Sequence, residues 1–225
     1  MIETEKRVEI KYDIFSIKKF FLENWIKSQK SLIKKYPNRI IKTIYYDSFD
    51  LGAAIQNLSG ESNRVKYRLR YYIESGIITD TKFEIKIKKN DINYKKIINL
   101  GRKIEDIDLM NPLSHLLKNN NIENDLVYNV CLVKKLYPIL EISYLRSYYN
   151  FFNSIVTVDK NITYQIKNKN YYLKKVIDDS NVLELKILIS DLKDQKKLKN
   201  IIPFRLTRFS KYTKGLAANK KLVYI

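Results

Sequence analysis

Residues 63–72 read NRVKYRLRYY. From Arg64 onward every second residue is basic: Arg64, Lys66, Arg68 and Arg70. Val65, Tyr67, Leu69 and Tyr71 fill the positions between them. A β-strand sends successive side chains to opposite faces, so this segment reads as a strand with one apolar and one cationic face. The alternation recurs elsewhere. RVEIKY (7–12) sets Arg7, Glu9 and Lys11 against Val8, Ile10 and Tyr12. FEIKIKK (83–89) sets Glu84, Lys86 and Lys88 against Phe83, Ile85 and Ile87, and VLELKILI (182–189) carries Glu184 and Lys186 on one face.

Any one of these strands also fits a solvated sheet face in a lysine-rich protein. Taken together they imply more. Their opposite faces are apolar and suit helices packed on them. With helices outside, the charged faces point inward, into a closed barrel. Neighbouring cations on one strand face lie roughly 7 Å apart, and at an effective dielectric near 20 each pair costs about 2 kcal/mol. An empty, dry lumen tolerates few such strands, whereas a polyanion, water and a few carboxylates offset the repulsion. A chain of phosphates fits this pattern, because the guanidinium fork pairs with phosphate oxygens and Lys supplies a mobile point charge.

Composition points the same way. The chain has 225 residues, with 43 basic and 24 acidic side chains and a net charge of +19. That balance implies nucleic acid, an anionic membrane surface or a phosphate-rich small molecule as partner. Part of the excess is background, since Lys, Asn and Ile are used heavily throughout. The single Cys, Cys131, excludes an intramolecular disulfide framework and a cysteine-based zinc site. A reducing, cytoplasmic compartment is the expectation. The apolar runs are short and broken by Lys, so no transmembrane segment is expected, and residues 1–20 lack a signal-peptide pattern.

One α+β domain over residues 1–225, with about eight strands and several helices, accounts for the remaining pattern. Ser16 is a candidate N-cap for a helix carrying Ile17, Phe20, Phe21 and Trp25, with Pro37 just beyond its end. A strand follows at 40–46, then a short helix or turn in AAIQNLSG and a turn at Gly76. Residues 91–135 read as mostly helical, strands resume at 139–149 and 154–166, and SDLKDQKKLKNIIP reads as a helix. The closing LAANKKLVYI is either a helix plugging one mouth or a frayed tail. GESNRVKY and GLAANKK lack the phosphate-loop pattern. His115 reads as a helix-surface or packed residue and Cys131 as core.

The order of these segments resembles the triphosphate tunnel metalloenzymes, and most closely the catalytic domain of the vacuolar transporter chaperone (VTC) type, which makes polyphosphate. RVEIKY, YYDSFD, RVKYRLRYY, FEIKIK, SYLRSYY, TVDKNI, VLELK and FSKYTKG match that family's motifs in the same order over nearly the whole chain. The resemblance implies an eight-stranded antiparallel β-barrel tunnel with helices on the outside. It implies phosphate contacts for Lys11, Arg68, Arg70, Lys86, Arg146 and Lys211. Lys66, Lys186, Tyr144 and Ser210 would be further substrate-binding residues. Glu184 would be the principal ligand for Mn²⁺ or Mg²⁺, with Glu9 and Glu84 as further ligands or orienting partners. Two positions depart from the pattern. Arg7 stands where related triphosphatases have the first Glu of E-x-E-x-K, and Ile155 stands where the family usually has an Arg.

The implied activity is metal-dependent phosphoryl transfer from ATP, with polyphosphate synthesis as the first reading and tripolyphosphate or polyphosphate as further ligands. Hydrolysis of a triphosphate and non-catalytic sensing of polyphosphate are the rivals. Nucleic-acid binding fits worse, because Tyr67 and Tyr71 alternate away from the basic face whereas base-stacking platforms need both on one surface.

Overall fold

The alternating segments extend well beyond the quoted motifs and pair edge to edge. The computed structural model describes residues 2–101, 136–168, 171–172 and 174–219. Along the chain these form β1 (Ile2–Glu3), β2 (Arg7–Ile14), α1 (Lys19–Ser28), β3 (Leu32–Asp47), α2 (Gly52–Leu58), β4 (Arg64–Glu74), β5 (Ile77–Lys89) and β6 (Ile92–Gly101). Then come β7 (Tyr137–Phe151), β8 (Ser154–Asn168), β9 (Tyr171–Tyr172), β10 (Val176–Ile177), β11 (Asn181–Leu188), α3 (Gln195–Ile201) and α4 (Lys211–Ala218). Eight strands close a ring in the order β6-β2-β11-β8-β7-β3-β4-β5, with β5 returning to β6. Every pairing in the ring is antiparallel.

Register brings the charged positions together. Across β4 and β5, Lys66 faces Lys86 and Arg68 faces Glu84. Across β11 and β2, Glu184 faces Lys11 and Lys186 faces Glu9. A slip of one residue would send all of these to the opposite face. The apolar alternates make that slip costly. Tyr67, Leu69 and Tyr71 of β4 are buried in a cluster with Ile44, Tyr46, Phe83 and Ile85. Leu183, Leu185 and Ile187 of β11 are buried with Ile10, Tyr12 and Val158, beneath Leu22 and Trp25 of α1 and Leu198 of α3. Burying each such side chain contributes roughly 1.5–3 kcal/mol.

One helix packs differently. Leu140, Ile142 and Tyr144 share the two-residue period, and therefore the face, of Arg146 on β7. With Tyr164 and Ile166 of β8 they take up Tyr212 and Leu216 of α4. The approach is close: a Cβ on Gly215 would meet Tyr164 Cδ1 at 2.6 Å and Leu140 Cδ2 at 2.7 Å. Glycine is the residue that permits it. The last helix ends at Ala218, so of LAANKKLVYI only Leu216–Ala218 is helical, and residues 220–225 lie outside the described residues.

Three sequence expectations need correction. Residues 92–101 are strand β6, not helix; the adjacent Lys95 and Lys96 disguise a two-residue period. The remainder of that predicted helical region, with His115 and Cys131, lies outside the described residues. The first helix ends at Ser28, and Pro37 falls inside β3. Proline lacks an amide N–H and is tolerated in sheets at irregularities, and the β3–β7 register shifts between Tyr36 and Arg39. Finally, Ile189–Asp194 is a 3₁₀ turn with a kink at Asp191, and only Gln195–Ile201 is α-helical. Among the described residues no helix is long and apolar enough to cross a membrane.

Candidate functional site: a cation-lined lumen

The inner faces of the ring converge on a cavity of about 460 Å³. Its wall carries thirteen basic side chains: Arg7, Lys11, Arg64, Lys66, Arg68, Arg70, Lys86, Lys88, Lys95, Arg146, Lys186, Arg208 and Lys211. Among the described residues two acidic ones line it, Glu9 and Glu184. Twelve of the thirteen residues singled out in the sequence lie on this wall, Tyr144 and Ser210 among them. Glu84 is the exception. It is 2 % exposed and sits behind Arg68.

The arginines are held in place. Arg68 donates from Nε to Glu84 Oε2 at 2.6 Å and from Nη1 to the Tyr45 hydroxyl at 3.1 Å. The other Glu84 oxygen lies 3.7 Å from Arg70 Nη1 and 3.5 Å from Lys95 Nζ. Burial opposes ionisation of Glu84, but Arg68, Arg70 and Lys95 outweigh it and hold its carboxyl well below the usual range. Arg70 Nη2 donates to the Tyr144 hydroxyl at 3.2 Å. Arg146 makes a two-pronged pair with Asp159, at 2.5 and 2.7 Å, and Lys211 at the start of α4 reaches the same carboxylate at 2.5 Å. Asp159 is fully buried. Burial pushes its pKa up, yet Arg146 and Lys211 bring it below the ordinary value.

The lysines are less well compensated. Lys66 Nζ donates to Asn57 Oδ1 at 2.6 Å and Ser210 Oγ at 3.0 Å. It has no carboxylate partner among the described residues. Burial, then the charges of Lys11 and Lys86, depresses its pKa well below the lysine norm. Burial also depresses Lys86 and Lys95, with Glu9 and Glu84 respectively opposing the shift. In Lys186 burial dominates, Glu184 restores part, and Arg146 and Arg7 lower it further, to about 7. Lys11 Nζ donates to the Phe209 carbonyl at 3.1 Å.

Glu9 lies 2.5 Å from Lys86 and 3.2 Å from Arg7. Burial and the Glu184 charge raise its pKa, but Lys86, Lys11 and Arg7 pull it down to about 2. Glu184 is held more loosely, 3.5 Å from Lys186 and 3.9 Å from Lys11. Burial works against its ionisation and those lysines overcome it. No group of three His, Cys, Asp or Glu suited to a metal occurs among the described residues. The donor set nevertheless fits Mg²⁺ or Mn²⁺ bound jointly with a ligand, because Mg²⁺ is commonly held by one or two carboxylates plus phosphate oxygens and water. Glu9 and Glu184 are the ionised pair on the wall.

Several wall and support residues went unassigned in the sequence. Lys95 was hidden by the helical reading of its segment. Asp159 stands in the quoted TVDKNI, on the face of β8 shared with Thr157, but one acid among basic motifs gave no sign that it would anchor two of them. Ile155 occupies the same face by its two-residue period, opposite Lys186. It is half-buried and contributes no charge there.

Comparisons with known proteins agree with this architecture. A family model described as VTC domain matches residues 4–220. No curated protein matches the chain. Solved structures with the same fold include a candidate adenylate cyclase from Bacillus halodurans, at TM-score 0.51 and 12% identity over 94% of this chain and 98% of that one. A candidate adenylyl cyclase from Hippeastrum, described as having a dominant triphosphatase activity, aligns at TM-score 0.50 and 10% identity over 98% of both chains. A conserved hypothetical protein from Pyrococcus furiosus aligns at TM-score 0.53 and 9% identity, over 93% of this chain and 99% of that one.

Proposed function

Since the chain belongs to the VTC domain family, we propose that it transfers a phosphoryl group from a triphosphate held in the lumen, building polyphosphate from ATP with Mn²⁺ or Mg²⁺. The observation that carries this reading is the convergence of thirteen cations and two carboxylates on one cavity. Such an excess of buried positive charge is stabilised by a compact polyanion, and a triphosphate supplies linked oxygens of that kind.

In this reading Arg68, Arg70, Arg146, Lys11, Lys86 and Lys211 bind the phosphates, and Lys66, Lys186, Tyr144 and Ser210 support them. Glu9 and Glu184 would hold the divalent metal, which when bound neutralises charge on the transferring group. Glu84 and Asp159 are positioning residues. Each fixes an arginine fork in advance, so little reorganisation accompanies charge development on the phosphoryl oxygens. Phosphoryl transfer offers a protein little covalent chemistry, and its catalysis is chiefly positioning and electrostatic stabilisation. The γ-phosphorus–oxygen bond to ADP breaks as a bond forms to the terminal oxygen of inorganic phosphate or of a growing chain.

Hydrolysis is the second reading, with water as acceptor. The Hippeastrum relative, whose described activity is a triphosphatase, favours keeping it. The test is incubation with ATP and Mn²⁺, with the products run on a gel alongside a phosphate assay. Long anionic chains are the expected result. Phosphate without chains establishes hydrolysis instead. Thermal stabilisation by tripolyphosphate with no turnover under either metal reduces the protein to a sensor.

A further inference from the structure

The link after β2 and the start of α1 read FSIKKFF, residues 15–21. Phe15, Ile17, Phe20 and Phe21 are each 61–85% exposed. Apolar side chains scattered singly on a surface are ordinary, but four large ones within one short segment form a patch. They do not come from a loosely packed helix. Leu22 and Trp25 turn the opposite side of α1 into the core, Trp25 meets Phe151 and Phe204 edge-on, and its indole N–H donates to the Ile201 carbonyl at 3.3 Å. A helix seated in this way holds Phe20 and Phe21 outward.

The surroundings of the patch are cationic. Lys18 and Lys19 stand between its apolar side chains, Lys27 and Lys30 follow, and Lys18, Lys27 and Lys30 are exposed. The one acid of residues 15–30, Glu23, is engaged by Lys160 at 2.8 Å. Aromatic side chains interleaved with lysines suit the surface of a bilayer, where the rings enter the boundary between headgroups and acyl chains and the ammonium groups stay with the phosphates. A second copy of the chain suits the patch less well. At ~200 Å² for a whole large side chain, the four present roughly 570 Å², short of the ~800 Å² that each partner gives to a standard interface. A two-fold contact through this face also sets its lysines against their own copies, and like charges repel.

We propose that residues 15–30 form a peripheral docking face for a bilayer carrying anionic phospholipid, in which Phe15, Ile17, Phe20 and Phe21 enter the boundary and Lys18, Lys19 and Lys27 pair with headgroup phosphates. None of these residues lines the lumen, so the inference stands apart from the reading of the lumen as a triphosphate site.

The test is flotation of the full chain with vesicles of phosphatidylcholine alone and with about one third phosphatidylserine, tripolyphosphate being present throughout to occupy the lumen cations. Binding is expected on the charged vesicles and not on the neutral ones. Phe20→Ala with Phe21→Ala is expected to weaken it about tenfold or more through lost apolar burial. Lys18→Gln with Lys19→Gln is expected to weaken it about thirtyfold through the loss of two lysines at the charged surface. Lys6→Gln with Lys89→Gln, which removes the same charge near the other end of β2, is expected to change binding less than about threefold. Thermal melts check each variant, and Ile17→Ser repeats the apolar test if the double Phe variant does not fold. Absence of binding to the charged vesicles overturns the docking face. Unweakened binding of the folded Phe or Ile17 variant overturns it too, because charge alone then holds the protein. A chain that is dimeric by light scattering and made monomeric by the Phe substitutions assigns the patch to a second copy and overturns the bilayer.

Discussion

Lys186 shows how a single side chain couples the lumen to pH. Its pKa near 7 in the folded protein lies below the ordinary lysine value of 10.5. Between those values the unfolded chain binds more protons than the folded one, so stability of the ligand-free protein rises as pH rises through that window. Lys66, Lys86 and Lys95 shift in the same direction. The expected outcome is a melting temperature that climbs from pH 7 towards pH 10, with a smaller climb in Lys186→Met. Anion binding has the opposite dependence. A bound polyphosphate raises these pKa values, so binding takes up protons, and affinity for tripolyphosphate is expected to fall as pH rises above 7. Titration in two buffers of different ionisation enthalpy measures that uptake directly. Asp159 sets a second expectation. Asp159→Asn leaves Arg146 and Lys211 short of their shared buried partner, and breaking such a pair costs about 3–5 kcal/mol. Denaturant unfolding reads the loss.

At the scale of the elements, α4 and β4 make contrasting cases. Gly215 of α4 lies against Tyr164 and Leu140 with no room for a methyl group. Gly215→Ala is expected to destabilise by about 1–3 kcal/mol through overpacking. Because Lys211 sits on the same helix, it is also expected to weaken tripolyphosphate binding; thermal melts with and without the ligand separate the two effects. β4 was legible in the sequence because its period is strict and its two faces differ completely in chemistry. The strands β2, β5 and β11 were legible for the same reason. β6 was not, since Lys95 and Lys96 put one cation on each face and erase the contrast. The early part of β3 was read as helix because LIKKYP carries no alternation, and its pairing with β7 is a tertiary outcome that local pattern does not encode. The site was legible through the family resemblance and not through alternation alone. Lys211 and Ser210, at a helix start, were assigned by motif match, while Arg64 and Lys88 on alternating strands, Arg208 on an irregular segment, and Asp159, whose sign opposes its surroundings, were not assigned.

In the molecule as a whole, thirteen of the 43 basic side chains gather on one cavity wall, against two acidic ones among the described residues. The ligand-free protein therefore carries electrostatic strain that a polyanion relieves. Tripolyphosphate at a hundredfold excess over its dissociation constant is expected to add about 2.7 kcal/mol of stability, with the gain shrinking as salt screens the charges. A melting series across ligand and salt concentrations checks both. The antiparallel ring joins β2, near the start of the chain, to β11, near its end. Lys211, which meets Asp159, comes later still. On the ribosome, then, the chamber stays incomplete until residue 211 and its helix have been made: a nascent chain halted before that point has all the ring strands but lacks the helix that packs against them. Quality control acting on such fragments would meet a cation-rich intermediate, and the stretch that carries Lys211 decides whether its chamber is completed.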